Sequence, residues 1–238
     1  MKTILYKAET RGHANHGWLD TWHTFSFANY YNPERIHFGA LRVLNDDYVE
    51  GGKGFDTHPH DNMEIVTIPL DGSIRHGDSM GNGGIIHTGD VQVMSAGTGV
   101  LHSEYNADKN KTVNFFQIWV FPNKKNVAPR YEQKKLNYHD AKNHFSIIVA
   151  PTPSESSLWI HQDAWFSIGS FDKDINDNYV PKLEGNGVFA MVIEGKFEIA
   201  GVELKDRDGI GIWDTDSIDI KSLSDNARIL LIDVPMDI

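Results

Sequence analysis

The sequence predicts an all-β protein built as two β-barrels in tandem. Three observations carry this: the apolar runs are short, turn signals punctuate them at close intervals, and the pattern occurs twice along the chain. In the first half the runs cover 38–44, 63–70, 73–76, 84–87, 91–94 and 113–121. Asp71-Gly72, the segment Met80-Gly81-Asn82-Gly83-Gly84, and Thr88-Gly89-Asp90 separate them, each supplying a residue that tolerates positive φ. Short strands at this spacing belong to a sandwich or a barrel.

The second half repeats the arrangement over 189–193, 196–200, 210–213, 217–220 and 228–234. Leu70-Asp71-Gly72-Ser73 aligns with Ile193-Glu194-Gly195-Lys196, and Gly89-Asp90-Val91 with Asp208-Gly209-Ile210, as an internal duplication would require. Between the copies, 122–140 is polar and carries Pro129 and Lys134-Lys135, which suits an exposed connection. The expected division is therefore 1–140 and 141–238. Helix is confined to a turn or two at most, around 14–18 or 135–139.

At 238 residues and 40% hydrophobic content the chain can bury one large core or two ordinary ones. A formal charge of -11 and the lack of a long Lys/Arg block argue against a face that neutralises phosphates, so no direct nucleic-acid partner is expected. The apolar run at the N-terminus is too short for a signal peptide and no stretch reaches membrane-spanning length, so the expectation is a cytoplasmic protein with no membrane partner. The polar composition gives no sign of a large apolar interface, and a monomer is expected. There is no cysteine, which excludes disulfides, zinc ribbons and thiol nucleophiles; any metal must be held by nitrogen and oxygen. Neither a Gly-x-Ser-x-Gly elbow nor a phosphate-cradling glycine loop is present.

Nine of the 12 histidines lie within the first 102 residues, and 189–234 has none. In Gly52-Lys53-Gly54-Phe55-Asp56-Thr57-His58-Pro59-His60, two imidazoles two residues apart share one face of an extended strand. His102-Ser103-Glu104 repeats that spacing with an imidazole and a carboxylate. A lone His-x-His is as readily a surface pair on an edge strand. Two such segments, each approached through a glycine-rich turn, point instead to one divalent metal inside the first barrel. Three neutral imidazoles and a carboxylate leave one or two coordination positions open, as catalysis requires. Fe(II) is the expected ion, with Mn, Co, Ni, Cu or Zn able to replace it.

These segments resemble the two signature stretches of the cupin superfamily. Gly52, His58, His60, Glu64 and Gly72 fit the first, with one extra residue before the last glycine; Gly89, Gly97 or Gly99, His102 and Asn106 fit the second, with Ser95 in place of its proline and the spacing stretched by two. More narrowly, Trp22-His23-Thr24-Phe25-Ser26-Phe27, Thr57-His58-Pro59-His60, Met63-Glu64-Ile65-Val66, Gly77-Asp78-Ser79, Met94-Ser95-Ala96-Gly97-Thr98-Gly99 and His102-Ser103-Glu104 resemble the pirin family over nearly the whole chain, in particular its bacterial members with quercetin 2,3-dioxygenase activity. The resemblance implies a bicupin: two jelly-roll type β-barrels as tandem cupin domains, metal-bound in the first and metal-free in the second. It implies the ligands His58, His60, His102 and Glu104, and a flavonol substrate such as quercetin, bound through its 3-hydroxyl and cleaved by O2 with loss of carbon monoxide.

Within that expectation Glu104 is both the carboxylate ligand and a candidate general base. Glu64, four residues beyond His60, would face the same side of a straight strand and is the other candidate for the base or for a contact to ligand or substrate. Phe55, beside the ligand strand, either flanks a planar substrate or packs in the barrel. His13, His16 and His23, among aromatic residues near the N-terminus, read as structural packing. His76 and His87 read as hairpin residues able to reach solvent. The eukaryotic branch of the family suggests a different use of the same ligands, an iron-dependent redox sensor that binds transcription proteins without turnover; a third use is a dioxygenase for another phenolic or enolic compound.

Overall fold

The computed structural model describes residues 1–136 and 142–238, so the expected boundary at 140 and most of the possible turn at 135–139 lie outside the described residues. In chain order the first strands are β1 (Lys2–Tyr6), β2 (Gly12–Asn15), β3 (Leu19–His23), β4 (Leu41–Val49), β5 (Gly54–His60), β6 (Glu64–Asp71), β7 (Ser73–Asp78), β8 (Gly83–His87), β9 (Asp90–Ser95), β10 (Val100–Asn106), β11 (Val113–Val120) and β12 (Arg130–Lys135). They are followed by β13 (Phe145–Ala150), β14 (Leu158–Trp159), β15 (Trp165–Phe171), β16 (Asn176–Tyr179), β17 (Asn186–Glu194), β18 (Lys196–Ile199), β19 (Val202–Lys205), β20 (Gly209–Trp213), β21 (Ile218–Ser222) and β22 (Ala227–Pro235). Among the described residues the helical content is one 3-10 turn at Ala8–Thr10, and no helix is long and apolar enough to cross a membrane.

Four sheets make two sandwiched barrels. In the first, the seven-stranded sheet β12-β9-β6-β11-β4-β3-β2 faces the four-stranded sheet β5-β10-β7-β8; in the second, β1-β20-β17-β22-β15-β13-β14 faces β16-β21-β18-β19. Side-chain alternation gives each long strand two destinations. On β6, Val66 and Ile68 pack with Val93, Phe116 and Ile118 against Phe166, Phe189, Leu230 and Ile232 of the second barrel, so one apolar core lies between the two large sheets. The alternate residues Ile65 and Thr67 point into the first barrel.

The two interiors differ in character. The second barrel is filled by apolar side chains such as Val188, Phe197, Ile210, Ile220 and Leu231. The first has two small apolar clusters, one around Phe115 and Ile74 and the other around Ile65 and Met94. A polar row also crosses its large sheet in register: His23 opposite Asn45, Asn45 opposite Gln117, Gln117 opposite Thr67, and Thr67 opposite Gln92. The second barrel's buried polar groups, such as Tyr179 donating to Asp233, satisfy one another, whereas those of the first barrel include the histidines on which a site can be built.

Several sequence expectations are corrected. The strand expected at 38–44 begins at Leu41 and continues through Asn45-Asp46-Asp47 to Val49, because those acids face the barrel interior and an interdomain ion pair rather than a loop. The segment around 14–18 is the end of β2 and a bend through Gly17, not helix. The connection 122–140 contains β12, which pairs with β9. Strand β1, from the N-terminus, hydrogen-bonds to β20 and belongs to the second barrel's sheet.

Candidate metal centre

Strands β5 and β10 run antiparallel with His58 directly opposite His102, and a register shift between His102 and Glu104 resets the pairing. Gly54 permits this approach. A Cβ there would sit 2.2 Å from the Glu104 carbonyl oxygen and 2.5 Å from the Tyr105 Cα, closer than any side chain allows. His60 follows on the same face of β5, and the ligand atoms of His58, His60 and His102 all lie within 4.8 Å of one another.

The ring nitrogens are arranged for a cation. His58 Nδ1 is 2.8 Å from the Asp56 carbonyl, which fixes its proton on Nδ1 and leaves the Nε2 lone pair free. That Nε2 lies 3.0 Å from His102 Nε2, a separation at which two lone pairs repel unless a cation or a proton sits between them. His102 Nδ1 is in turn 3.2 Å from His76 Nε2, so His102 presents Nε2 to the same point. Burial, reinforced by the neighbouring imidazoles, pushes His60 and His102 down to about 3, which keeps both neutral as metal binding requires. This donor set fits a divalent transition metal held by His58, His60 and His102.

Glu104 is 4% exposed and stands two residues beyond His102. Gln117 Nε2 donates to its Oε2 at 2.8 Å, and the Thr67 hydroxyl lies 3.2 Å from its Oε1. Burial raises this carboxyl, while His76 and Gln117 pull it back. It lines the cavity that contains His58 and His60 but lies outside the tight three-imidazole cluster.

Glu64 is elsewhere. The chain turns through Asn62, at positive φ, so β6 starts afresh in the large sheet and the parity with His60 is lost. Glu64 shares a face with Val66, accepts a 2.7 Å hydrogen bond from Ser95, and also meets the backbone of His161 and the charge of Arg130. It belongs to the seam between the barrels, not to the cavity lining.

The cavity beside the imidazoles has a volume of about 440 Å³. Phe55 lines it, packed edge-on against Trp18 at 5.3 Å. Trp119 forms another wall, its ring 4.9 Å from that of His60. His13, His16 and His23 line it as well, with Phe27 and Tyr30. His23 does find the partner expected of a buried histidine, Asn45 Oδ1 at 3.0 Å, and Phe25 packs in the core between the large sheets, but the three histidines also stand in the cavity wall. His76 is 2% exposed and contacts His102, against the expectation that it reaches solvent, whereas His87 is exposed. Sequence spacing could not find His76, Trp119, Asn45 or Asp47, since each reaches the site through cross-strand register.

A model of the Pirin family matches residues 6–120, and a model described as the quercetinase C-terminal cupin domain matches 147–234. The chain is 45% identical to the quercetin 2,3-dioxygenase of Escherichia coli K12 over 97% of its length and 98% of the relative's. It is 40% identical to a pirin-like protein of Caulobacter vibrioides, covering 93% of this chain and 95% of that one. The crystal structure of the bacterial pirin YhhW from Escherichia coli in complex with nickel(II) superposes with a TM-score of 0.92 at 43% identity, covering 98% and 99% of the two chains. Tandem cupin barrels, a three-imidazole cluster in the first of them and this identity over nearly the whole length together place the chain in the pirin family.

Proposed function

We propose that this protein is a metal-dependent dioxygenase that cleaves flavonols such as quercetin with O2 and releases carbon monoxide. The observation that carries the proposal is the three-imidazole cluster opening onto a cavity of about 440 Å³ walled by aromatic rings, a size and chemistry suited to a planar phenolic ligand. The relatives named as quercetin 2,3-dioxygenases support the reaction class.

His58, His60 and His102 would hold the ion, Fe(II) in the native enzyme with Mn, Co, Ni, Cu or Zn able to substitute, and Glu104 would complete the ligand set. A bound divalent ion supplies Lewis acidity that favours the flavonol 3-hydroxyl as its anion. Glu104 is the carboxylate beside the imidazoles and the group to accept that hydroxyl proton, and its burial raises its affinity for protons. Gln117 and Thr67 hold its two oxygens in place. Phe55 and Trp119 flank the ring system and exclude water. Glu64, held by Ser95 and not among the cavity's lining residues, is given no part in this scheme.

Anaerobic reconstitution with Fe(II), followed by quercetin and then O2, tests the proposal. Loss of flavonol absorbance with carbon monoxide release, abolished in His58→Ala and reduced at least a hundredfold in Glu104→Ala, is expected. Stoichiometric iron binding without turnover of quercetin would overturn it and leave a sensor or another substrate.

A further inference from the structure

Asp46 and Asp47 are adjacent buried acids on β4 with opposite surroundings. Asp46 faces two cations, with Arg11 at 3.4 Å and Arg207 at 3.2 Å, and also accepts from Asn114 at 2.8 Å. Asp47 points to the other face of the strand, into the metal-side cavity, at 4% exposure. Among the described residues no cation pairs with it; its side-chain partner is the hydroxyl of Thr21, its register neighbour on β3. Leaving a carboxyl in a largely apolar cavity with a single donor costs stability that an apolar residue would not.

We propose that Asp47 is a specificity-determining residue that hydrogen-bonds a phenolic hydroxyl of the substrate, so that the cavity selects polyhydroxylated over unsubstituted aromatic ligands. The inference rests on the flavonol reading of this site and names the part of the molecule that the site reads. Leu19, Phe55 and Phe27 offer the same cavity only apolar contact; its polar lining includes Asn45 and Asp47 on β4 together with Gln117, Glu104 and the histidines, and Asp47 is the carboxyl there that is not assigned to the metal. Burial, with Asp46 and Glu104 adding to it, pushes the Asp47 carboxyl up to about 7, so the group is able both to donate to and to accept from a hydroxyl near neutral pH. The competing explanation is that Thr21 and Asp47 simply fasten β3 to β4.

Isothermal titration calorimetry of the nickel-loaded protein without oxygen, using quercetin and 3-hydroxyflavone, separates the two. Both compounds carry the 3-hydroxyl, but only quercetin carries the other hydroxyls. The wild type is expected to bind quercetin roughly tenfold more tightly. Asp47→Ala should bring the ratio close to one by weakening quercetin alone, and Asp47→Asn should keep most of it. Equal loss of both ligands in Asp47→Ala, or no preference in the wild type, would overturn the proposal. Preferential binding without turnover on admitting O2 to the iron-loaded protein would sustain the selectivity and remove the dioxygenase reading.

Discussion

The imidazoles of His58, His60 and His102 were legible as a set because strand parity fixes an i, i+2 pair on one face whatever the rest of the chain does. Glu64 was misread by the same rule, since the rule holds only while the strand continues, and Asn62 ends it. Its true setting makes a prediction. Burial raises the Glu64 carboxyl from 4.5 to about 7, so the folded protein keeps a proton that the unfolded chain has released. That contribution is complete below about pH 4.5 and is lost as the pH rises through 7. Glu64→Gln should therefore gain stability relative to the wild type as the pH rises from 5 to 8, by roughly 1–3 kcal/mol in urea unfolding, and should retain turnover. A variant that lost activity would return Glu64 to the chemistry.

At the scale of elements, the apolar strands were legible and the polar ones were not. Strand β4 carries Asn45-Asp46-Asp47 in its middle and β12 reads Arg-Tyr-Glu-Gln-Lys-Lys, compositions that signal loop until their partners are known. The strands β2 and β3 were hidden among histidines that turn out to be cavity wall. The β5–β10 pairing, by contrast, includes one very close backbone approach, at Gly54. Gly54→Ala must force β5 away from Glu104 and Tyr105, which separates His58 from His102. Metal affinity should fall on the order of tenfold or more with the far-ultraviolet dichroism unchanged, and undiminished affinity would show that the close approach is dispensable.

The whole molecule is more entangled than a tandem duplication suggests. The apolar face shared by the large sheets, the crossing of β1 into the second barrel, and Arg207 reaching back to Asp46 all bind the barrels to each other. None of these was visible in the sequence, because each depends on contacts between segments up to two hundred residues apart. They predict one cooperative unfolding transition. Arg207→Ala should lower stability by roughly 1–3 kcal/mol, less than a fully buried pair would lose because Arg11 remains beside Asp46. Two separate calorimetric transitions in the wild type would mean that the barrels fold independently.

The three-imidazole cluster lies in the first barrel, and among the described residues no other such cluster is found, so the first barrel is the expected place for a transition metal. X-ray absorption spectroscopy with metal analysis of the Fe(II)-reconstituted wild type and His102→Ala tests this most directly. One ion per chain is expected in the wild type, with three imidazole nitrogens and a carboxylate oxygen around it, and an altered, weakly held ion in the variant. Two ions per chain, or a coordination shell unchanged by His102→Ala, would contradict that expectation.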